Sequence, residues 1–126
     1  MQITRESNLP DLITNPHGED VQEILGINAG GVESHSLARV TIAPGKCSLP
    51  HYHKGSEESY LILSGTADLE VDSHKFNLSP GEAVLIEPFE VHQISNPGSE
   101  DLVFLAVCVP AWRPDDSFEV EDNSAV

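Results

Sequence analysis

Gly45-Lys46-Cys47-Ser48-Leu49-Pro50-His51-Tyr52-His53, followed by Glu58 and Gly65, is the stretch on which the reading of this chain turns. His51 and His53 are two residues apart. On a β-strand that spacing puts both imidazoles on one face, roughly 6–7 Å apart along the backbone. Rings so placed can converge on one ion through metal–nitrogen bonds of about 2.0–2.2 Å. Glu58 opens the next apolar run and can add a carboxylate from a neighbouring strand, and His92 stands later in a similar apolar setting. Three imidazoles and one carboxylate suit one divalent ion per chain: manganese, iron, nickel, cobalt or zinc.

Outward from this stretch the pattern stays that of a β protein. Short apolar or alternating runs occupy residues 21–27, 37–42, 59–63, 67–71, 75–78, 83–87, 92–95 and 102–109. Asp72-Ser73-His74, Ser79-Pro80-Gly81 and Asn96-Pro97-Gly98 punctuate them as turns. No amphipathic segment is long enough for a helix. Strands at this spacing fold as an all-β sandwich or barrel, and a double-sheet jelly roll is the Greek-key solution. The expected organisation is one domain: an N-terminal arm (1–20), the barrel (21–113) and an acidic C-terminal tail (114–126). In the tail, Phe118 and Val120 are candidates to dock on a partner subunit.

The chain has 126 residues and a net charge of −15, from 21 acidic and six basic side chains. So acidic a surface repels phosphate backbones and anionic headgroups, which excludes nucleic acid and membrane as partners. No run approaches the roughly 20 apolar residues of a membrane span, and residues 1–7 lack a secretory pattern. Cys47 and Cys108 lie in separate apolar runs and read as reduced thiols, so the expected location is cytoplasmic. A jelly roll leaves sheet edges and apolar outer faces to cover, which predicts a homodimer.

The spacing Gly45-x5-His51-x-His53-x4-Glu58-x6-Gly65 resembles the first motif of the cupin superfamily at every signature position. The second motif, G-x5-P-x-G-x2-H-x3-N, is matched at Gly81, His92 and Asn96; Glu87 stands where proline is usual and Phe89 where glycine is usual. That departure leaves the path of the turn before His92 open but removes no ligand. The resemblance covers residues 36–110. It implies a double-stranded β-helix (the cupin-type jelly-roll barrel) with His51, His53, Glu58 and His92 as metal ligands. Residues 108–116 resemble small stand-alone cupins labelled mannose-6-phosphate isomerase-like.

Beyond the ligands the residues leave alternatives. Tyr60 shares parity with Glu58 and is either a phenol above the metal floor or a core ring. Arg39 is either a rim cation for an anionic substrate or a solvent-facing residue. Glu87 and Glu90 are either turn-surface carboxylates or a general acid or base at the mouth. His17, His35 and His74, beside turns and without partners at ligand spacing, read as bystanders. Four protein ligands on an octahedral ion leave two positions open, as in catalytic rather than structural sites. The expected function is a metal-dependent enzyme acting on a small oxygenated molecule through its carboxylate, carbonyl or diol, of decarboxylase, dioxygenase or isomerase type. The alternative is a non-catalytic module that binds or senses such a molecule.

Overall fold

The computed structural model describes residues 1–120. Its strands are β1 (Ile13–Thr14), β2 (Glu19–Leu25), β3 (Ser36–Ile42), β4 (His51–Tyr52), β5 (Glu57–Ser64), β6 (Ala67–Val71), β7 (His74–Leu78), β8 (Ala83–Ile86), β9 (His92–Ser95), β10 (Leu102–Val109) and β11 (Phe118–Glu119). They form two antiparallel sheets, ordered β1-β2-β3-β10-β5-β8 and β11-β4-β9-β6-β7. Among the described residues the only helical turns are the 3-10 segments Glu6–Asn8 and Pro114–Asp116. The chain is thus an all-β jelly roll.

Alternation makes the core. Along β10, Leu102, Phe104, Ala106 and Cys108 are buried while the residues between them are not. They meet Val40 and Ile42 of β3, Tyr60 and Ile62 of β5, Leu69 of β6, Ile86 of β8 and Ile94 of β9. Each large apolar side chain buried there contributes about 1.5–3 kcal/mol by leaving water.

Motif residues that are not candidate ligands hold turns in place. Asn96, 2% exposed, donates from Nδ2 to the carbonyls of Ile42 (2.9 Å) and Glu100 (2.7 Å) and accepts the Gly98 amide at Oδ1 (2.9 Å). It therefore ties the end of β3 to the β9–β10 turn. Phe89 occupies the place where a glycine is usual and keeps the glycine's conformation, with φ of 69°. Its amide donates to the His53 carbonyl at 2.7 Å, so the turn follows the left-handed path at a cost of about 1–2 kcal/mol.

Both flanks of the barrel pair with it among the described residues. β1 pairs with β2 through Ile13↔Val21, so the arm adds an edge strand. Part of the segment expected as an acidic tail is strand-paired as well. β11 pairs with β4 (Phe118↔Tyr52, Glu119↔His51), and the Phe118 ring stacks on Tyr52 at 5.4 Å. Phe118 thus docks on its own barrel, because a ring flanked by strand-compatible residues gains more from an open sheet edge than from water. Residues 121–126 of that tail lie outside the described residues.

Gly65 has φ of 79°, and a Cβ there would come 2.6 Å from the Asp101 carbonyl oxygen. Gly65→Ala should destabilise the barrel by about 2 kcal/mol, combining left-handed strain with a backbone clash. Urea unfolding of the variant checks this; a loss below about 0.5 kcal/mol would mean that the β5–β6 turn yields freely.

Candidate metal centre

His51 lies on β4 and His53 just after it, His92 starts β9, and Glu58 is the second residue of β5. β4 and β9 pair directly at His51↔His92 in one sheet, whereas Glu58 reaches in from the other, opposite Cys108 and Ile86. One ligand atom from each of the four lies within 4.8 Å of all the others. Glu58, His53 and His92 are buried, and His51 is partly buried. Glu57, the neighbouring carboxylate, points outward.

Each imidazole is aimed by a backbone carbonyl. Nδ1 of His51 donates to Leu49 O at 2.8 Å, Nδ1 of His53 to Asp116 O at 2.8 Å, and Nδ1 of His92 to Glu90 O at 2.9 Å. With the proton held on Nδ1, the Nε2 lone pair of a neutral ring faces the cluster, which is how outer partners orient metal-binding histidines. Glu58 Oε1 lies 3.2 Å from His92 Nε2 and 3.5 Å from His53 Nε2, and Cys108 Sγ donates to Glu58 Oε2 at 3.0 Å.

These residues fit a divalent ion on a structural observation: His53 Nε2 is buried and has no hydrogen-bond partner. A buried polar atom left alone is costly, and an ion at the cluster would satisfy it. The electrostatics agree. Burial lowers the His51 pKa to about 4, helped by the neighbouring His92 charge. Burial opposes protonation of His53 too, but the Glu58 carboxylate beside it prevails and raises its pKa. Burial likewise opposes ionisation of Glu58, yet its two imidazole neighbours hold its pKa well below the usual range.

Above the cluster opens a cavity of about 250 Å³. Tyr60, 4% exposed, lines it, with its ring 4.7 Å from Phe104 and 6.1 Å from His92. Burial and then the Glu58 charge push the phenol's pKa well above its ordinary value, so it stays protonated. Tyr60 is thus both a core ring and a wall of the cavity.

Arg39 does not line it. Cross-strand partners share a face, and Arg39 stands opposite Gln22 and Leu105 on the outside of the sheet. Its Nη2 donates to Gln22 Oε1 at 2.9 Å. Of the two alternatives for Arg39, this placement is the solvent-side one. Glu87 and Glu90 do not line the cavity either: the Glu90 carboxylate accepts the Glu87 amide at 2.7 Å, closing the turn that sets up His92. The Glu90 carboxylate is thus used inside its own turn.

His17, read as a bystander, and Glu19, not singled out in the sequence, stand in the wall. His17 and Glu19 line the cavity, with His17 Nε2 3.4 Å from Glu19 Oε1. Glu19 lies opposite Ile42, and Val21 opposite Val40. The signal was present in the shared parity of Glu19 and Val21, but the apolar run alone starts the strand two residues too late. Asp116 was also hidden. Its carbonyl aims His53 while its carboxylate accepts the amides of Lys54 (2.9 Å) and Gly55 (3.0 Å).

A family model described as Cupin domain matches residues 38–108. An uncharacterized protein of Methanocaldococcus jannaschii is 32% identical over 100 residues, 79% of this chain and 80% of that one. The chain belongs to the cupin family. It is also 29% identical over 112 residues to a Thermotoga maritima protein named oxalate-binding protein, covering 85% of this chain and 93% of that one. Among solved structures, a predicted oxalate decarboxylase of Thermotoga maritima superposes with a TM-score of 0.73 at 28% identity, covering 86% of this chain and 99% of the other.

The raised pKa of His53 means that, in the metal-free protein, a proton competes for the ring an ion must use up to a higher pH than for an ordinary imidazole. Below that raised value proton and ion compete, so affinity falls as pH falls, about tenfold per pH unit for one displaced proton. His51, at about 4, does not compete until far lower pH. Calorimetric zinc titrations from about pH 5.5 to about pH 8 check this; an affinity flat across the window would exclude a proton-bearing ligand.

Proposed function

We propose that the chain is a metal-dependent cupin that binds a small oxygenated organic molecule at His51, His53, Glu58 and His92 and acts on it as an enzyme. One observation carries the reading: four buried or partly buried ligand atoms are gathered within 4.8 Å, and three of the residues that bear them, His51, His53 and Glu58, line a cavity. A divalent ion there, manganese among the candidates, would supply Lewis-acid polarisation of a carboxylate, carbonyl or diol. The chain's own part is orientation and proton supply. Leu49, Asp116 and Glu90 carbonyls hold the imidazoles in their tautomer, and Tyr60 presents a protonated phenol that can donate to a developing oxyanion.

Elemental analysis after chelator-free purification should give about one equivalent of divalent metal per chain. His51→Ala should lower this below about a tenth while the barrel stays folded, because its core is built without the ion. A His51→Ala protein that retains metal would remove the ligand assignment. Tyr60→Phe should slow turnover by about 100-fold with metal retained if the phenol is the acid.

The second reading, a non-catalytic binding or sensing module, is favoured by the relative whose name is oxalate-binding protein and by the absence from the cavity wall of Glu87 and Glu90. A Tyr60→Phe variant that binds ligand as the wild type does, in a protein without measurable turnover, would select it.

The homodimer belongs to this proposal. Leu61, Leu63 and Leu85 are 37%, 45% and 53% exposed, on adjacent strands of one outer sheet face, and such a face needs cover. Light scattering should give twice the 13.6 kDa chain mass, and a monomer at micromolar concentration would overturn it. Cytoplasmic placement rests on the two free thiols, Cys47 and Cys108. No helix is long and apolar enough to cross a membrane among the described residues.

A further inference from the structure

The charge around the cavity is one-sided. Glu19, Glu23 and Glu119 line it together with Glu58, and no lysine or arginine does. The chain's cations face elsewhere: Arg39 is bonded to Gln22, Arg113 is 3.7 Å from Glu33, and the Lys54 ammonium sits 4.3 Å from the Phe118 ring centre. Arg5, Lys46 and Lys75 do not reach the wall. A divalent ion beside Glu58 would leave one net positive charge, against three further carboxylates.

Those carboxylates are not equivalent. Glu23 is 7% exposed and already accepts the Asn28 amide at 2.9 Å. Among the described residues the Glu19 side chain has only His17 for a partner, at 3.4 Å, and both line the cavity with side chains 18% and 28% exposed. Burial raises the Glu19 pKa against the pull of His17, and the Glu58 charge adds to the rise.

We propose that the cavity takes an uncharged polyhydroxylated or hydroxy-carbonyl molecule, one hydroxyl of which is held by the His17–Glu19 pair on the arm wall. This rests on the reading that the four ligands hold an ion to which the molecule binds. A hydroxyl donates to the Glu19 carboxylate and accepts from the His17 ring, so both wall groups are satisfied at once. A carboxylate or phosphate would instead lie among Glu19, Glu23 and Glu119 with no side-chain cation to offset the repulsion. Like charges brought together in a partly dry site penalise binding and set specificity. The arm thereby selects what reaches the metal.

The test uses zinc-loaded full-length protein and two matched probe pairs: dihydroxyacetone with dihydroxyacetone phosphate, and D-ribose with ribose 5-phosphate. Oxalate serves as a small dianion. NMR titration follows the ring signals of His17, and elemental analysis of the same samples reports zinc. The uncharged member of each pair should bind about tenfold more tightly than its phosphate and than oxalate, and should shift the His17 signals. Glu19→Gln removes one repelling charge, so it should tighten the anions by about tenfold and erase the preference. His17→Asn should weaken the uncharged probes alone.

Anions that bind wild type as tightly as the uncharged probes, a preference unchanged in Glu19→Gln, or failure of both uncharged probes to bind zinc-loaded protein would each overturn the proposal. Failure of the underlying metal reading is distinguishable, because it shows as absent zinc before any probe is added.

Discussion

Burial of the Glu58 carboxylate between the two sheets is the constraint on which the site depends. An ionised carboxylate in such a place costs several kcal/mol unless it is paired and hydrogen-bonded. Its hydrogen-bond partners are His92 from the five-stranded sheet and the Cys108 thiol from the strand alongside, while His53 Nε2 stands 3.5 Å away as a charge neighbour only. The two histidine contacts form only when the sheets close on each other, whereas Cys108 meets Glu58 across paired strands of one sheet. The site is therefore a product of the whole jelly roll rather than of the His51–His53 stretch alone. The same closure leaves His53 Nε2 buried without a partner, which is the polar deficit a bound ion would remove.

Rigidity at the cluster has a second source in backbone carbonyls. Leu49, Glu90 and Asp116 each offer an oxygen to one imidazole Nδ1. Two of these acceptors lie two residues before the histidine they serve, so the local strand path creates them. The third crosses from Asp116, 63 residues away in sequence, and is positioned by the 3-10 turn and β11. Asp116 holds its own place by accepting the Lys54 and Gly55 amides. Burial opposes its ionisation, but the Gly55 and Lys54 amides, with the His53 charge and Ser56, together outweigh it and keep its pKa below the ordinary value. A single residue thus fixes both the loop after His53 and the orientation of the His53 ring.

The barrel and its four candidate ligands were legible because strands write their geometry into sequence with a period of two. The runs at 67–71, 92–95 and 102–109 coincide with β6, β9 and β10. What escaped did so for physical reasons. Residues 36–42 carry apolar side chains on both faces, Leu37 outside and Val40 and Ile42 inside, so parity alone left the direction of Arg39 open. Acidic composition made 114–120 read as a tail, and a carbonyl that aims a distant imidazole has no residue signature at all. His17 and Glu19 were missed because β2 begins with two acidic residues, Glu19 and Asp20, ahead of its first apolar side chain.

The two kinds of information also divide the labour of the site. Three of the four ligands, on β4, just after it and on β9, and the fourth on β5, belong to the part of the chain matched as a cupin domain. Much of the wall that decides what approaches them comes from segments outside that match: the arm brings His17 and Glu19, and the closing strand brings Glu119. A barrel with the same ligands and a different arm would present a different charge to its substrate, which is why fold and metal set together leave the chemistry undetermined. Here the added walls are acidic and carry no lysine or arginine. Residues 38–108, matched as a cupin domain, supply the ligands, whereas His17, Glu19 and Glu119 of the wall lie outside that match.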